Sequence, residues 1–203
     1  MPISNEDKRR ISLAVKTAEA RTSGEIVCVL AQSASDYGYV PLIWAALIAL
    51  IAPWPLIAVT LWPVQWIYTI QLAVFLLLAI LLSFPALRMA LVPRRIKRLR
   101  ANRAALEQFM LRGVSRTRER TGILIFVALG ERFARIVADT GIADRVPQTT
   151  WQDAVDVLVT ECKNDHIAAG FVAAIGKSGV VLAEHFPPRA RNDDELPDRL
   201  YVI

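Results

Sequence analysis

The sequence predicts an α/β fold, namely a three-layer α/β/α sandwich with a small mixed sheet, interrupted by a two-helix transmembrane hairpin. Two observations lead to this prediction. Continuous apolar runs typical of buried strands alternate with segments of helical periodicity. Residues 37–87, a stretch of 51, contain no Asp, Glu, Lys or Arg. The charged residues all lie outside that stretch, at a density ordinary for a soluble domain. We therefore expect one soluble domain built from residues 1–36 and 88–203, with residues 37–87 as a membrane insertion.

The first part of this domain is predicted to be a helix followed by a buried strand. Ser4 and Asp7 have the spacing of a capping box, and apolar residues then recur at helical intervals up to Ala18. The sequence Thr22-Ser23-Gly24 ends the helix. An unbroken apolar run follows at residues 26–30, and such a run suits a strand that is buried on both faces.

The second part supplies the partners that this helix and strand need. An amphipathic helix is predicted over residues 94–120 and a second apolar strand over 123–129. Gly130 and Glu131 form a tight turn into a third strand, 133–139, which is predicted to be antiparallel to the second.

After the third strand, the sequence predicts two helices and an apolar end that docks on the sheet. One helix starts near Trp151, and another runs from about Ile167 to the prolines that begin at Pro187. The apolar end of the chain, residues 201–203, is expected to dock on an edge of the sheet.

The charge-free stretch has room for two spanning helices, since each needs about 20 apolar residues. We place them near residues 41–61 and 64–84, with the turn at Trp62-Pro63. Pro53 and Pro55 lie inside the first span and are expected to kink it. In an alternative arrangement the turn lies at residues 52–55 and the segment is re-entrant.

The charges beside the spans predict their orientation. Seven cations follow the second span before the first acidic residue, Glu107, and the turn between the spans has none. Excess Lys and Arg near span ends marks the cytoplasmic face. We therefore expect a protein of the inner membrane with two spans and both termini in the cytoplasm. The sequence has neither a signal peptide nor a lipidation motif. The seven cations are Arg88, Arg94, Arg95, Lys97, Arg98, Arg100 and Arg103.

The same run of cations indicates which binding partners to expect. The lipid bilayer is the expected partner, because each cation near an anionic membrane surface contributes about 1 kcal/mol of attraction. No aromatic residues are interleaved with these cations, so nucleic acid is not an expected partner. Cys28 and Cys162 are far apart in sequence, and we expect both to be reduced, unreactive thiols.

No catalytic set can be assembled from sequence motifs, and the sequence leaves open whether the protein is an enzyme. It has no glycine-rich phosphate loop, HExxH or GxSxG motif. The best metal-ligand candidates are Asp139 and Asp144, just after the third strand, which would suit a divalent cation such as calcium. Asp36 and Glu131 would join them if the strand ends converge. Alternatively, the sequence DTG is an ordinary turn in which the aspartate acts as a cap.

Several segments outside the charge-free stretch resemble the TPM domain family. They are TSGEIVCVL, RTGILIFVALGERFARIVADTGI, VPQTTWQDAVDVL and IAAGFVAAIGKSGVVLAEHFPP, and the tail ELPDRLYVI is similar to that of small bacterial membrane members. The resemblance implies a three-layer fold with about four strands. It also implies two kinds of activity, because acid phosphatase activity and divalent-metal binding are attributed to some members, and others assemble or repair membrane complexes. Most members carry the domain outside the cytosol, whereas the charges here predict the inside.

Two functions follow as hypotheses. The first is a membrane-anchored cytosolic domain that acts as a binding or assembly factor for membrane proteins. The alternative is a metal-dependent phosphatase-like hydrolase with its site near Asp139 and Asp144.

Overall fold

The structure, a computed structural model, describes residues 3–188 and 195–203, and at Ala86 only the backbone. It divides into two compact units. The first, called here the α/β unit, combines Met1–Ala34 with Arg98–Ile203, and the second, the apolar unit, is Ser35–Lys97. The α/β unit is therefore made of chain from both sides of the apolar unit.

A four-stranded mixed sheet forms the centre of the α/β unit. Its strands are β1 (Glu25–Ala31), β2 (Gly122–Ala128), β3 (Phe133–Ala138) and β4 (Leu200–Val202), in the order β3-β2-β1-β4. Strand β1 is parallel to both of its neighbours, and it pairs with β2 over all seven of its residues. Strands β2 and β3 are antiparallel, as predicted from the tight turn between them. The docking of the chain end on the sheet is also confirmed.

Both faces of the sheet are buried, which explains why the strands are unbroken apolar runs. Successive side chains of a strand point to opposite faces. In β1, Ile26, Cys28 and Leu30 pack into one core with residues of α1 (Asn5–Glu19), α8 (Gln152–Lys163) and α9 (Ile167–His185). Val27 and Val29 pack into the other core, beneath α6 (Arg94–Leu111). Helices thus cover the sheet on both faces.

The cap predicted for α1 is present. The backbone N–H of Asp7 donates to the Ser4 hydroxyl at 3.0 Å, and that hydroxyl donates to the Asp7 carboxylate at 2.7 Å. The predicted extent of the next soluble helix, residues 94–120, is wrong. Helix α6 ends at Leu111 because Gly113 adopts a left-handed conformation with φ of 72°, and a short 3₁₀ turn, Val114–Arg116, follows.

The remaining elements of the α/β unit follow β3. A single helical turn, α7 (Thr140–Ala143), and a 3₁₀ turn, Gln148–Trp151, lead into α8. Helix α9 packs against α1 and α8, and eight of its residues are buried.

The apolar unit consists of α2 (Tyr39–Ile51), α3 (Pro53–Val59), α4 (Val64–Leu82) and α5 (Pro85–Leu91). The predicted first span is divided at Ala52, since Pro53 lacks the N–H that would continue the hydrogen-bonded ladder of α2. The chain turns back through residues 60–63, between α3 and α4.

In the described part of the chain, three helical segments are long and apolar enough to cross a membrane, judged by length and composition alone: Tyr39–Val59, Val64–Leu82 and Ile167–His185. They differ in how much of the helix is covered by protein. In the third, which is α9, 44% of the apolar window is buried, whereas the first two have 11% and 6%. Helix α9 is therefore a core helix of the α/β unit. The two segments of the apolar unit leave large side chains such as Trp54 and Leu77 mostly exposed.

Candidate functional site

Asp139, the first predicted metal ligand, is buried at the end of β3. Its backbone N–H donates to the carbonyl of Gly122, which extends the pairing of β2 and β3 by one residue. One carboxylate oxygen, Oδ1, accepts from the N–H of Thr140 at 2.7 Å and caps α7. The other oxygen, Oδ2, is buried and has no hydrogen-bond partner among the described residues. Asp139 thus caps α7 through Oδ1, while its Oδ2 lacks a hydrogen bond within the described part of the chain.

Asp144, the second predicted ligand, lies at the opposite end of the same helical turn. It forms the C-terminal cap of α7, and its side chain is exposed. Four residues separate it from Asp139, and the five steps of helix between the two positions correspond to a rise of about 7.5 Å. Within residues 3–188 and 195–203 there is no group of three or more His, Cys, Asp or Glu side chains that could hold a metal ion. A metal site formed by Asp139 and Asp144 remains a prediction.

Glu131 does not lie beside Asp139, because the two residues flank opposite ends of β3. Glu131 is buried, and it accepts the backbone N–H of Ala34 at 3.0 Å and the hydroxyl of Ser33 at 3.0 Å. It therefore fixes the segment that leaves β1. Asp36 belongs to the apolar unit, where its carboxylate lies 3.7 Å from the guanidinium of Arg88. Glu131 therefore does not join Asp139 in the α/β unit.

A different group of carboxylates comes together beside the start of β1. Glu19, at the end of α1, accepts the N–H of Ile26 at 2.6 Å and shares a side-chain hydrogen bond with Asp198. Glu25, the first residue of β1, is buried and accepts the N–H of Leu196 at 3.2 Å. The carboxylate cluster, meaning Glu19, Glu25 and Asp198, therefore joins α1 and β1 to the C-terminal segment.

This clustering changes the protonation of Glu19. Burial raises the pKa of Glu19 to about 10, and the hydrogen bond with Asp198 and the negative charge of Glu25 act in the same direction. The hydrogen bond from the Ile26 N–H opposes the shift. A hydrogen bond between two carboxyl groups needs one proton, so Glu19 in the folded protein carries that proton at neutral pH.

Sequence reasoning missed this cluster for an identifiable reason. Glu19 and Glu25 lie close together in sequence, but Asp198 is distant from both, and the pairing of β4 with β1 brings Asp198 to Glu19. One signal was available: Glu25 directly precedes a strand that is buried on both faces. A charged residue in such a position needs partners.

The two cysteines are unpaired thiols, as expected. Cys28 is fully buried in β1, and burial raises its pKa well above the usual range. Cys162 is half-buried on α8, and burial together with Glu161 raises its pKa to about 11. Neither thiol is ionised at neutral pH, so neither is a ready nucleophile.

An apolar groove lies between α1 and α9 in the α/β unit. It has a volume of about 580 Å³. Leu13 and Val180 line it and are 65% and 69% exposed. Gly176 forms part of its floor, and a Cβ atom there would meet nothing within 4 Å. Arg10, on α1, and Arg21, two residues beyond the end of α1, also line the groove.

Part of the chain matches the model of a known protein family. The family model described as the TPM domain matches residues 86–180. The resemblance to the TPM domain family is confirmed. The matched segment contains β2, β3, Asp139 and Asp144. It leaves out α1, β1 and β4, which hold the carboxylate cluster.

The whole chain also resembles a solved structure. The NMR structure of the BA42 protein from the psychrophilic bacterium Bizionia argentinensis is 20% identical and superposes with a TM-score of 0.64. The alignment covers 100% of this chain and 97% of that chain. At this level of identity the likeness shows a shared fold. No curated protein matches the sequence.

The protonated Glu19 predicts a pH-dependent stability. A carboxyl group whose pKa rises from 4.5 in the unfolded chain to about 10 in the folded protein stabilises the fold fully below pH 4.5. That contribution is lost progressively as the pH rises towards 10. Glu19→Gln keeps the shape and the hydrogen bonds of the protonated side chain. We expect it to raise the Tm of the α/β unit at neutral and alkaline pH by about 3 °C, which corresponds to roughly 1 kcal/mol in a chain of this size.

The measurement is near-UV circular dichroism of purified protein over a range of pH. The matched control is Glu184→Gln, which neutralises an exposed glutamate on α9. An equal Tm for Glu19→Gln and the parent protein at alkaline pH would show that Glu19 is ionised in the fold.

Proposed function

We propose that this protein is a membrane-anchored member of the TPM domain family that binds membrane proteins and assists their assembly from the cytoplasmic side of the inner membrane. The observation that carries the proposal is the apolar unit. Its two long helical segments contain no charge, and their large side chains have little cover from protein. An apolar surface of this size needs lipid or protein against it.

The dimensions of the helices support a hairpin that crosses the bilayer. Helix α4 has 19 residues, which give a length of about 28 Å, and the hydrocarbon core of a bilayer is about 30 Å thick. Helices satisfy their own backbone hydrogen bonds, as a spanning segment must. The break at Ala52 adds a kink of the kind that membrane helices tolerate.

Two charges at the ends of the charge-free stretch support an even number of spans. Asp36 immediately precedes that stretch and Arg88 immediately follows it, yet their side chains lie 3.7 Å apart. A chain that enters and leaves the apolar unit at one place returns to the side of the membrane that it left. The basic run after Arg88 favours the cytoplasm for that side.

The groove between α1 and α9 supports a binding role. It offers exposed aliphatic side chains and open space at Gly176. Two cations line it: Arg21, and Arg10, whose guanidinium lies 3.9 Å from the carboxylate of Asp7. A groove of this kind accepts an amphipathic helix that lays its apolar face on the floor. We propose as its occupant an amphipathic helix of a membrane protein with acidic residues beside its apolar face.

The first test concerns the membrane. The full chain is expected to stay with membranes after alkaline carbonate extraction. A variant in which a Gly/Ser linker of about 15 residues, with a span of roughly 20 Å, replaces residues 37–87 is expected to be soluble and folded.

In a Cys162→Ser background, Leu61→Cys at the turn should react with an impermeant maleimide added to intact cells. Lys8→Cys on α1 should react only after the membrane is opened. Labelling of Lys8→Cys in intact cells would contradict the proposed orientation.

The second test concerns the groove. Gly176→Leu is expected to fill the groove without harming α9, since its side chain enters open space and leucine favours helix more than glycine does. We expect the recovery of membrane-protein partners cross-linked in detergent extracts to fall about tenfold, as the loss of about 1.4 kcal/mol of binding free energy would produce. The matched control is Lys177→Leu, on the same helix but outside the groove lining. Equal recovery with both variants, or a consistently solitary monomer, would contradict the binding role.

One observation favours the alternative function, a metal-dependent phosphatase-like hydrolase. Asp139 has a buried carboxylate oxygen without a hydrogen-bond partner among the described residues, and a hard divalent cation such as calcium takes oxygen ligands of this type. Asp139 would hold the cation, which would supply charge for binding a phosphate ester, and exposed Asp144 is the second ligand that we propose.

The test of this alternative is Asp139→Asn. Asparagine caps a helix about as well as aspartate, so the fold should persist. Hydrolysis of a phosphate ester by the parent protein should depend on calcium, and the variant should lose it. Asp153→Asn, on exposed helix surface, is the control. Hydrolysis that is independent of divalent ions, or unchanged in Asp139→Asn, would exclude this site.

A further inference from the structure

A second pocket of the α/β unit lies at the end of the sheet opposite to Asp139. It has a volume of about 600 Å³, within the range of pockets that hold small organic ligands. Its apolar lining comes from the end of β2 and the start of β3, and from α8 and the start of α9. The lining includes Leu129, Phe133, Val159 and Ile167, all partly exposed.

Two cations line this pocket without a partner. Arg132, in the turn between β2 and β3, and Lys163, at the end of α8, are both exposed. Within residues 3–188 and 195–203, neither side chain lies in an ion pair. The nearby carboxylate of Glu161 lies 3.4 Å from His166. The third charged residue of the lining is Asp165, which forms no ion pair with Lys163 in the described part of the chain. The lining therefore has a formal charge of +1.

The backbone around the pocket is unusual at two positions. Among the described residues, three that are not glycine have a positive φ: Arg120, Arg132 and Asp165. Two of the three, Arg132 with φ of 51° and Asp165 with φ of 60°, line this pocket. Such conformations cost free energy, and they cluster at ligand sites, where the surrounding structure holds them.

We propose that this pocket binds a monocarboxylate with an apolar chain, such as a medium-chain fatty acid. The guanidinium of Arg132 would take the carboxylate as a planar fork, and Lys163 would add a second positive charge. The apolar lining would cover the chain of the ligand. A lining with a formal charge of +1 complements a single negative charge better than it does the double charge of a phosphate monoester. This site is separate from the groove and from Asp139, and it does not depend on the proposed membrane role.

Cys162 provides a reporter for occupancy. It lines the pocket and is half-buried, whereas Cys28 is fully buried in the sheet. Because burial and Glu161 raise the pKa of Cys162 to about 11, its thiol is alkylated slowly, and a bound ligand would slow the reaction further by covering it.

The experiment uses the full chain in nanodiscs of zwitterionic lipid, with iodoacetamide at mildly alkaline pH and octanoate as the probe. Octanoate is expected to slow the alkylation of Cys162 by a factor of about three or more, while octanol and acetate at the same concentration leave the rate unchanged. Arg132→Gln and Lys163→Gln should each raise the octanoate concentration needed for protection about tenfold, because each removes one charge-assisted hydrogen bond. Lys177→Gln, an exposed cation of α9 that does not line the pocket, should leave protection intact.

Three results would overturn the proposal. Equal protection by octanol would show that the charged head group contributes nothing, and equal protection by acetate would show the same for the chain. Unchanged protection in both Arg132→Gln and Lys163→Gln would remove the proposed ligands of the carboxylate. Calorimetric titration of the same variants with octanoate supplies a second measure that does not use the thiol, and it must give the same ranking.

Discussion

The parallel pairing of β1 with β2 is the interaction on which the α/β unit depends. All seven residues of β1 pair with residues of β2, although ninety residues of chain separate the end of one strand from the start of the other. Strand β1 also pairs with β4, so it is an interior strand of the sheet. Without it, β4 would have no neighbour, and α1 would lose much of the surface that it covers. Glu131 holds Ala34 just after β1, so the segment that leaves this strand is fixed within the α/β unit.

The C-terminal segment is attached by more than its short strand. Three residues of β4 pair with β1, and such a ladder is weak by itself. Glu25 binds the N–H of Leu196, and the Tyr201 ring lies 4.0 Å from the guanidinium carbon of Arg112 and 4.8 Å from that of Arg199. Cation–π contacts and charge-assisted hydrogen bonds thus supplement the ladder. The family model ends at residue 180, so it does not include the C-terminal segment that makes these contacts.

The elements of the fold were largely predictable because their signals are local. The apolar runs at residues 26–30 and 123–129 are strands that are buried on both faces, and Gly130 with Glu131 forms the turn into an antiparallel strand. Ser4 caps α1 as its spacing indicated. The end of α6 at Leu111 was missed because the helical periodicity continues past Gly113, and only the left-handed backbone at that glycine stops the helix.

The candidate sites were less predictable because they depend on long-range packing. Asp139 and Asp144 were identifiable from their position after a strand, but the sequence did not indicate that they cap opposite ends of one turn. Sequence order places Glu131 near Asp139, whereas β3 holds them at opposite ends of the sheet. The carboxylate cluster and the pocket beside Cys162 each combine segments from different elements, and no local pattern identifies either of them.

The position of β1 in the sheet has a consequence for synthesis. A ribosome that adds about 5 to 20 residues per second needs roughly 5 to 20 seconds to make the chain between β1 and β2. During that interval β1, a strand of seven buried residues, lacks the strand with which all of its residues pair. The central strand pair of the α/β unit therefore cannot form until the apolar unit and α6 have been translated, and β1 remains without β2 throughout that time.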